Sequence, residues 1–362
     1  MKDRSILFTP ATVGQLEVPN RVFMAPLTRN RAHSDGTPKS MAQTYYRQRA
    51  SAGLIISEAT QISAMGKGYL DTPGIYKEEH AKAWKEITDA VHAGGGRIFC
   101  QLWHVGRISH VSLLPTGRSP VSSSSKRAKT QTFTADGFED CSDPVPLDHP
   151  GIVATITDYV NAASKARQAG FDGIEVHAAN GYLIDQFLQD GVNDRADQYG
   201  GSVENRARFL QEVLDAVSDV WPAHQTGVRL SPLGQANDIH DSNPEALFSH
   251  VYEMLSERSL SYLHVVERFP GNEQKDDEAK LISSLRQHYS GFYIANGDYG
   301  ADSAARTIGD GHADAVTFGR PFIANPDLPE RYRLDADLNT PDQDTFYGGG
   351  EAGYTDYEFL DR

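Results

Sequence analysis

Eight short runs rich in β-branched or aromatic residues recur along the chain, each bounded by turn residues and followed by a stretch with helical spacing of apolar positions. No other feature restricts the fold so strongly. The runs are Val22 to Pro26, Leu54 to Thr60, Arg97 to Trp103, Gly173 to His177, Gly227 to Ser231, Tyr262 to Glu267, Phe292 to Asn296 and Ala315 to Gly319. Between them, Glu79 to Ala93 sets Ala83, Ile87, Ala90 and Val91 on one helical face before Gly94-Gly95-Gly96 stops it, and Asp158 to Ala169 is a second such helix. Eight strands alternating with helices predict an α/β fold, the (β/α)8 TIM barrel, whose functional residues sit where strands end and the following loops begin.

The 362 residues suit one barrel domain spanning 1–362, with no linker and no internal repeat beyond the alternation. The spacing is uneven, however. About 70 residues separate the third run from the fourth, more than one strand–helix unit needs. We read an insertion over about 109–150, from Ser109 to Pro150, as a β-hairpin lid after strand 3. It holds Ser122-Ser123-Ser124-Ser125, the basic Lys126-Arg127-Ala128-Lys129 and the alternating Thr130-Gln131-Thr132-Phe133-Thr134. The basic cluster is read as a solvated charge run. The first 20 residues fit an N-terminal β-hairpin turning at Val13-Gly14-Gln15, placed to plug the closed end of the barrel.

Composition removes several classes of function. Lys plus Arg number 34 against 49 Asp plus Glu, a formal charge of −15, and no long basic block exists to contact nucleic acid or an anionic membrane surface. No run approaches the roughly 18 apolar residues needed to span a bilayer, and the first ten residues lack the apolar core of a secretory signal. A soluble, cytoplasmic protein is expected. The two cysteines, Cys100 and Cys141, cannot supply a four-thiolate cluster or a disulfide framework, so redox chemistry requires a bound cofactor.

Gly348-x-Gly350-x-x-Gly353 matches the dinucleotide fingerprint by spacing, but only nine residues follow it, too few for the strand and helix the motif serves. No phosphate-binding P-loop or metal motif occurs, and no metal is expected. His104 and His110, six apart and without an evident carboxylate, read as positioning or surface histidines.

Two constellations point to a ligand at the barrel mouth. Ile294-Ala295-Asn296-Gly297-Asp298 and Val316-Thr317-Phe318-Gly319-Arg320-Pro321 close the seventh and eighth runs, where barrels often build a phosphate cradle. Gly297 and Gly319 let backbone N–H groups approach an anion and Arg320 adds a planar cation. After the fourth run, His177, Asn180 and Tyr182 can converge on a ligand oxygen, with the phenol as a proton donor. Thr28 follows the first run, while Gln101 and Arg229 lie within the third and fifth. A glutamine and an arginine aimed into a barrel need polar partners.

At these residues the chain resembles the Old Yellow Enzyme family of FMN-dependent ene-reductases, in particular its bacterial morphinone reductase and N-ethylmaleimide reductase-like branch. The matching stretches run nearly end to end. They include Asn20-Arg21-Val22-Phe23-Met24-Ala25-Pro26-Leu27-Thr28-Arg29, Gln101-Leu102-Trp103-His104-Val105-Gly106-Arg107, Gly170 to His177, Asp194 to Arg206, Phe318 to Leu328 and Thr345-Phe346-Tyr347.

The resemblance implies non-covalent FMN at the mouth, NAD(P)H as hydride donor and a ping-pong cycle that reduces a small-molecule activated alkene. It implies that Thr28 bonds flavin O4, that Gln101 meets the pyrimidine edge, and that Arg229 stands by N1 and the C2 carbonyl. Gly297, Asp298, Gly319 and Arg320 would hold the phosphate, while Pro26, Leu27 and Ala59 line the ring. His177 and Asn180 would bind the substrate's carbonyl or nitro oxygen, Tyr182 would protonate the α-carbon, and Trp103 and Tyr347 would shape the pocket. A monomer or homodimer is expected.

The His177/Asn180 pair follows the His/Asn version of the family's substrate pair. Val266-Glu267-Arg268-Phe269-Pro270 stands where relatives often show Glu-Pro-Arg, which bears on substrate range. Reduction of nitro compounds or nitrate esters, dienoyl-thioester reduction, a flavin-binding protein without turnover and a non-redox barrel for a phosphorylated ligand are the alternatives. The scarcity of cysteine disfavours the thioester reading, and the lack of a barrel lysine or carboxylate cluster at strand ends disfavours the non-redox barrel.

Overall fold

A computed structural model describes residues 3–234, 236–269, 271 and 275–360. Eight parallel strands form a closed ring: β1 Val22–Met24, β2 Ile55–Ile56, β3 Ile98–Trp103, β4 Gly173–His177, β5 Thr226–Leu230, β6 Tyr262–Val266, β7 Tyr293–Asn296 and β8 Ala315–Phe318. Each strand pairs with its neighbours in sequence, and Val316 of β8 opposite Val22 of β1 closes the barrel. The outer helices are α1 Met41–Gln48, α2 Glu78–Ala93, α3 His149–Gln168, α4 Val203–Ser218, α5 Pro244–Ser256, α6 Asp276–Arg286, α7 Ala301–Gly309 and α8 Leu328–Leu334. Among the described residues no helix is long and apolar enough to cross a membrane.

Because side chains alternate across a strand, every second residue points into the barrel, and its chemistry changes along the axis. At the closed end Phe23, Ile56, Phe99, Tyr262, Ile294 and Ala315 form one apolar cluster with Ala11, Val13 and Val18. Those last three belong to the N-terminal hairpin, Ala11–Val13 paired with Leu16–Val18, so the expected plug is present. Gly173 and Gly227 make this packing possible. A Cβ on Gly173 would lie 2.4 Å from the Phe99 ring and one on Gly227 2.3 Å from the Tyr262 ring.

One residue pair further up, the inward positions become Gln101, Glu175, Arg229, His264, Asn296 and Thr317, all buried. That layer is the floor of the mouth.

Two boundaries differ from expectation. The second run breaks between Ile55–Ile56 and Thr60–Gln61, because Glu58 leaves the wall to meet the Tyr46 hydroxyl and the Arg29 N–H. Helix α3 starts nine residues earlier, at His149, since Asp148 caps it by accepting the Gly151 N–H at 2.8 Å and Pro150 suits its first turn. The insertion contains the hairpin Gln131–Thr134 with Gly137–Asp140, joined antiparallel.

The glycine-rich tail enters no βαβ unit. Instead Arg29 donates to the carbonyls of Phe346 and Gly353, and Arg31 to those of Thr345 and Gly350. Tyr354 stacks on Tyr45 with ring centroids 4.1 Å apart. The tail is thereby clasped beside the loop after β1.

Candidate active site

The polar floor is a connected network. Glu175 Oε1 accepts from Gln101 Nε2 at 2.6 Å and its Oε2 faces His264 Nδ1 at 2.9 Å. His264 Nε2 reaches Thr317 Oγ1 at 2.8 Å, and Arg229 Nη2 donates to Asn296 Oδ1 at 2.8 Å. Burial acts to raise the Glu175 carboxyl, but His264, Arg229 and Gln101 outweigh it and hold the group below the usual carboxylate range. Burial, aided by the Arg229 charge, moves His264 below the ordinary histidine value. The partners that Gln101 and Arg229 require are therefore present, although Arg229 Nε, buried, has none.

Above this floor lies a cavity of about 360 Å³. Pro26, Leu27, Thr28, Asn180, Arg229, Gly297, Asp298, Gly319, Arg320 and Tyr347 line it, joined by Val266, Arg268, Phe269, Asn296, Tyr299 and Phe346. A neighbouring cavity of about 460 Å³ shares Thr28 and Tyr347 and adds Asn30, Tyr69, Phe133, Phe138, Tyr182, Gln343 and Asp344. The hairpin of the insertion thus forms part of this second wall. Phe138 at its tip is 72% exposed. Ala59, Gln101, Trp103 and His177 are buried and line neither cavity.

His177, Tyr182 and Trp103 form an aromatic chain, with the Tyr182 ring edge-on to each of the others at 5.1 Å. Burial drives His177 well below the ordinary histidine value, with Arg229 and His264 adding to the effect. The ring is neutral. Its Nδ1 accepts the Ala179 N–H at 3.3 Å, so the proton belongs on Nε2, which is left as a donor. Burial also raises the Tyr182 phenol, keeping it protonated. Its oxygen lies 3.3 Å from the Tyr69 hydroxyl.

Several participants carried no assignment in the sequence. Tyr299 comes from a loop whose path only the fold defines; Arg268 and Phe269 belong to the stretch Val266 to Pro270 that the sequence ties to substrate range, of which Pro270 lies outside the described residues. Arg268 donates to the Asp298 carbonyl at 2.7 Å. Glu175 and His264 had one available signal, their inward register beside Gln101 and Arg229.

His104 is buried, and burial lowers it to about 3. His110 does have a carboxylate nearby, contrary to expectation: Glu139 of the hairpin lies 3.5 Å away, brought there by the insertion's fold. The basic run is satisfied locally, with Lys126 3.5 Å from Asp194 and Arg127 3.8 Å from Asp143.

The model of the NADH:flavin oxidoreductase / NADH oxidase family matches residues 6–339. The chain belongs to this family. Among family members, 12-oxophytodienoate reductase 1 of Oryza sativa is 45% identical over 360 residues, covering 98% of this chain and 93% of the relative. Morphinone reductase, solved in complex with tetrahydroNAD, is 49% identical with a TM-score of 0.92 and 98% coverage of both chains. The old yellow enzyme homologue from Zymomonas mobilis has a TM-score of 0.94 at 43% identity, covering 98% of this chain and 99% of its own. The expected resemblance and barrel are both established by these matches.

This family member is a flavin oxidoreductase that uses FMN and a nicotinamide coenzyme. Its mouth suits the flavin on structural grounds. Two buried polar atoms without partners, Arg229 Nε and Asn180 Oδ1, belong to residues lining one cavity. At the rim a Cβ on Gly319 would meet only Leu27 Cδ2, at 3.3 Å, which leaves open space beside Arg320. Among the described residues no group of three His, Cys, Asp or Glu side chains is placed to hold a metal ion.

Proposed function

We propose that this enzyme is an ene-reductase that uses NAD(P)H to reduce the C=C bond of α,β-unsaturated carbonyl or nitro compounds. One observation carries the reading. The short segment His177 to Tyr182 presents a neutral imidazole, a half-buried carboxamide whose Nδ2 can donate, and a protonated phenol beside one pair of cavities. Relatives named as morphinone and 12-oxophytodienoate reductases support the same class.

Thr28, Gln101 and Arg229 would hold FMN over the floor, with Pro26, Leu27 and Ala59 along its ring. Gly297, Asp298, Gly319 and Arg320 would take its phosphate. FMN supplies the two-electron relay from nicotinamide to alkene. Arg229, fixed by Asn296 and held near Glu175, is a permanent cation able to stabilise negative charge at the floor.

His177 and Asn180 donate hydrogen bonds to the substrate's carbonyl or nitro oxygen. As electron density moves onto that oxygen these bonds strengthen, and each such donor contributes roughly 3 kcal/mol. A neutral histidine serves here because it polarises the oxygen without surrendering its proton. Tyr182 donates the proton to the α-carbon, and Tyr69, within hydrogen-bond reach, can support the phenolate left behind. Trp103 and Tyr347 shape the pocket. Coenzyme and alkene use the same site in turn, which makes the cycle ping-pong.

Tyr182→Phe tests this directly. Anaerobic bleaching of the flavin by NADPH or NADH should persist, while reoxidation by cyclohexenone should slow roughly 100- to 10,000-fold. Equal loss of both half-reactions would refute the proton-donor role.

A further inference from the structure

The turn that displays Asn180 is unusual in its backbone. Asn180 has φ +59° and Gly181 φ +75°, so two consecutive residues are left-handed, one of them carrying a Cβ. Groups that line neither cavity hold it there. The Asn180 N–H donates to Ser231 Oγ at 2.7 Å, and the Gly181 N–H donates to Asp185 Oδ2 at 2.8 Å. The same Asp185 oxygen accepts the Ser231 hydroxyl at 3.4 Å, and Oδ1 accepts Gln189 Nε2 at 2.7 Å. Asp185 sits in the short, wholly buried helix Leu183–Leu188. Gln186, next in that helix, secures the other side of the turn by donating to the Gly181 carbonyl at 2.7 Å.

Asp185 is fully buried, and no ion pair to it occurs among the described residues. Burial pushes its carboxyl up to about 7 against the pull of Gln189, Gly181 and Ser231. An apolar side chain would avoid that desolvation but accept none of the three hydrogen bonds.

We propose that Asp185, acting through Ser231 and the Gly181 N–H, is the positioning residue that fixes the left-handed turn and aims the Asn180 carboxamide at the substrate oxygen. The inference rests on the substrate-binding role of Asn180 given above. Asp185 itself touches no reacting group.

The test is cyclohexenone turnover by FMN-loaded variants, with loading checked by absorbance. Asp185→Ala should lower kcat/KM roughly 10- to 100-fold through misplacement of the amide. Asp185→Asn should recover most of that loss. Its amide oxygen can keep the Gly181 N–H while its NH2 faces Gln189, whose buried Oε1 has no partner. In an Asn180→Gly background, where the amide is gone and the left-handed turn is tolerated, Asp185→Ala should cost less than about twofold more. Full multiplication of the two losses, or an Asp185→Asn enzyme as slow as Asp185→Ala, would overturn the positioning role. If Asp185→Ala does not fold, Ser231→Ala carries the same cycle with an expected loss of about fivefold, and no loss there would overturn the role. Unchanged turnover in Asn180→Gly would instead defeat the assignment of Asn180. An effect of Asn180→Gly with none from Asp185→Ala would defeat the positioning role alone.

Discussion

Two glutamate–histidine pairs occupy the two sides of the same barrel wall. Glu175 and His264 meet inside at 2.9 Å with both side chains fully buried, whereas Glu267 and His312 meet outside at 2.9 Å with side chains 5% and 29% exposed. Their proton affinities move in opposite directions. His264 is lowered, first by burial and then by Arg229, although Glu175 pulls the other way. His312 is raised by its bond to Glu267, against the effect of partial burial.

What separates them is a third charge and access to water. Inside, Arg229 already balances Glu175, and a second buried cation would be strongly unfavourable. Glu175 is ionised, so His264 Nδ1–H donates to it and Nε2 accepts the Thr317 hydroxyl proton, a neutral relay. Outside, Glu267 accepts from the hydroxyls of Tyr293 and Tyr299 as well as from His312. There the carboxylate it faces raises the histidine's own proton affinity.

The sharpest way to break the contrast is to remove the third charge. Arg229→Met should leave Glu175 uncompensated and destabilise the protein by about 3–5 kcal/mol, while raising the proton affinity of His264. FMN affinity should fall in the same variant, since Arg229 lines the cavity with its Nε unpartnered. Urea denaturation and a flavin titration measure both. Parent-like stability would show that Glu175 is balanced without Arg229.

Much of this was legible in the sequence where the signal is local. Alternation within short runs located all eight strands, and inward register marked Gln101 and Arg229 as residues needing partners. The partners themselves were not marked. Glu175 and His264 are 89 residues apart and meet only because the barrel sets β4 and β6 on either side of β5 with both side chains turned inward. The break in the second strand was hidden for the same reason: Glu58 leaves the wall for Tyr46 and Arg29, each at a distance in sequence.

The tail clasp had no side-chain signature at all on its accepting side, because Arg29 and Arg31 bind backbone carbonyls that every residue possesses. Helix α3 was read short because its first turn carries His149, Pro150 and Gly151, composition that elsewhere marks a loop. The capping bond to Asp148 overrides it.

A smaller effect is expected from the outer pair. Glu267→Gln retains an acceptor but no charge, and it cannot satisfy two tyrosine hydroxyls and a protonated histidine together. A loss of about 1–3 kcal/mol should follow. FMN affinity should change far less than in Arg229→Met, because Glu267 reaches the mouth cavity only through the Tyr299 hydroxyl, while Tyr293 and His312 line neither cavity. A shift in flavin binding as large as that of Arg229→Met would mean that the two sides of the wall are strongly coupled.

The smallest effect separates the pairs by the sign of their pH dependence. Folding raises the proton affinity of His312, so its contribution is whole below the ordinary histidine range and is lost as pH climbs through the raised value. His264, lowered on folding, behaves oppositely. It contributes no such loss above neutrality, and its neutral form instead opposes folding in acid, where the unfolded histidine would hold a proton. The stability difference between the parent and His312→Gln should therefore shrink from under about 1 kcal/mol at pH 5.5 to near zero at pH 9, the ceiling being set by partial exposure of the pair. Denaturation midpoints across that range measure it. A difference that held constant would show that the Glu267 contact is a neutral hydrogen bond, and one that grew with pH would mean His312 is held neutral as His264 is, leaving burial rather than the Arg229 charge to explain both pairs.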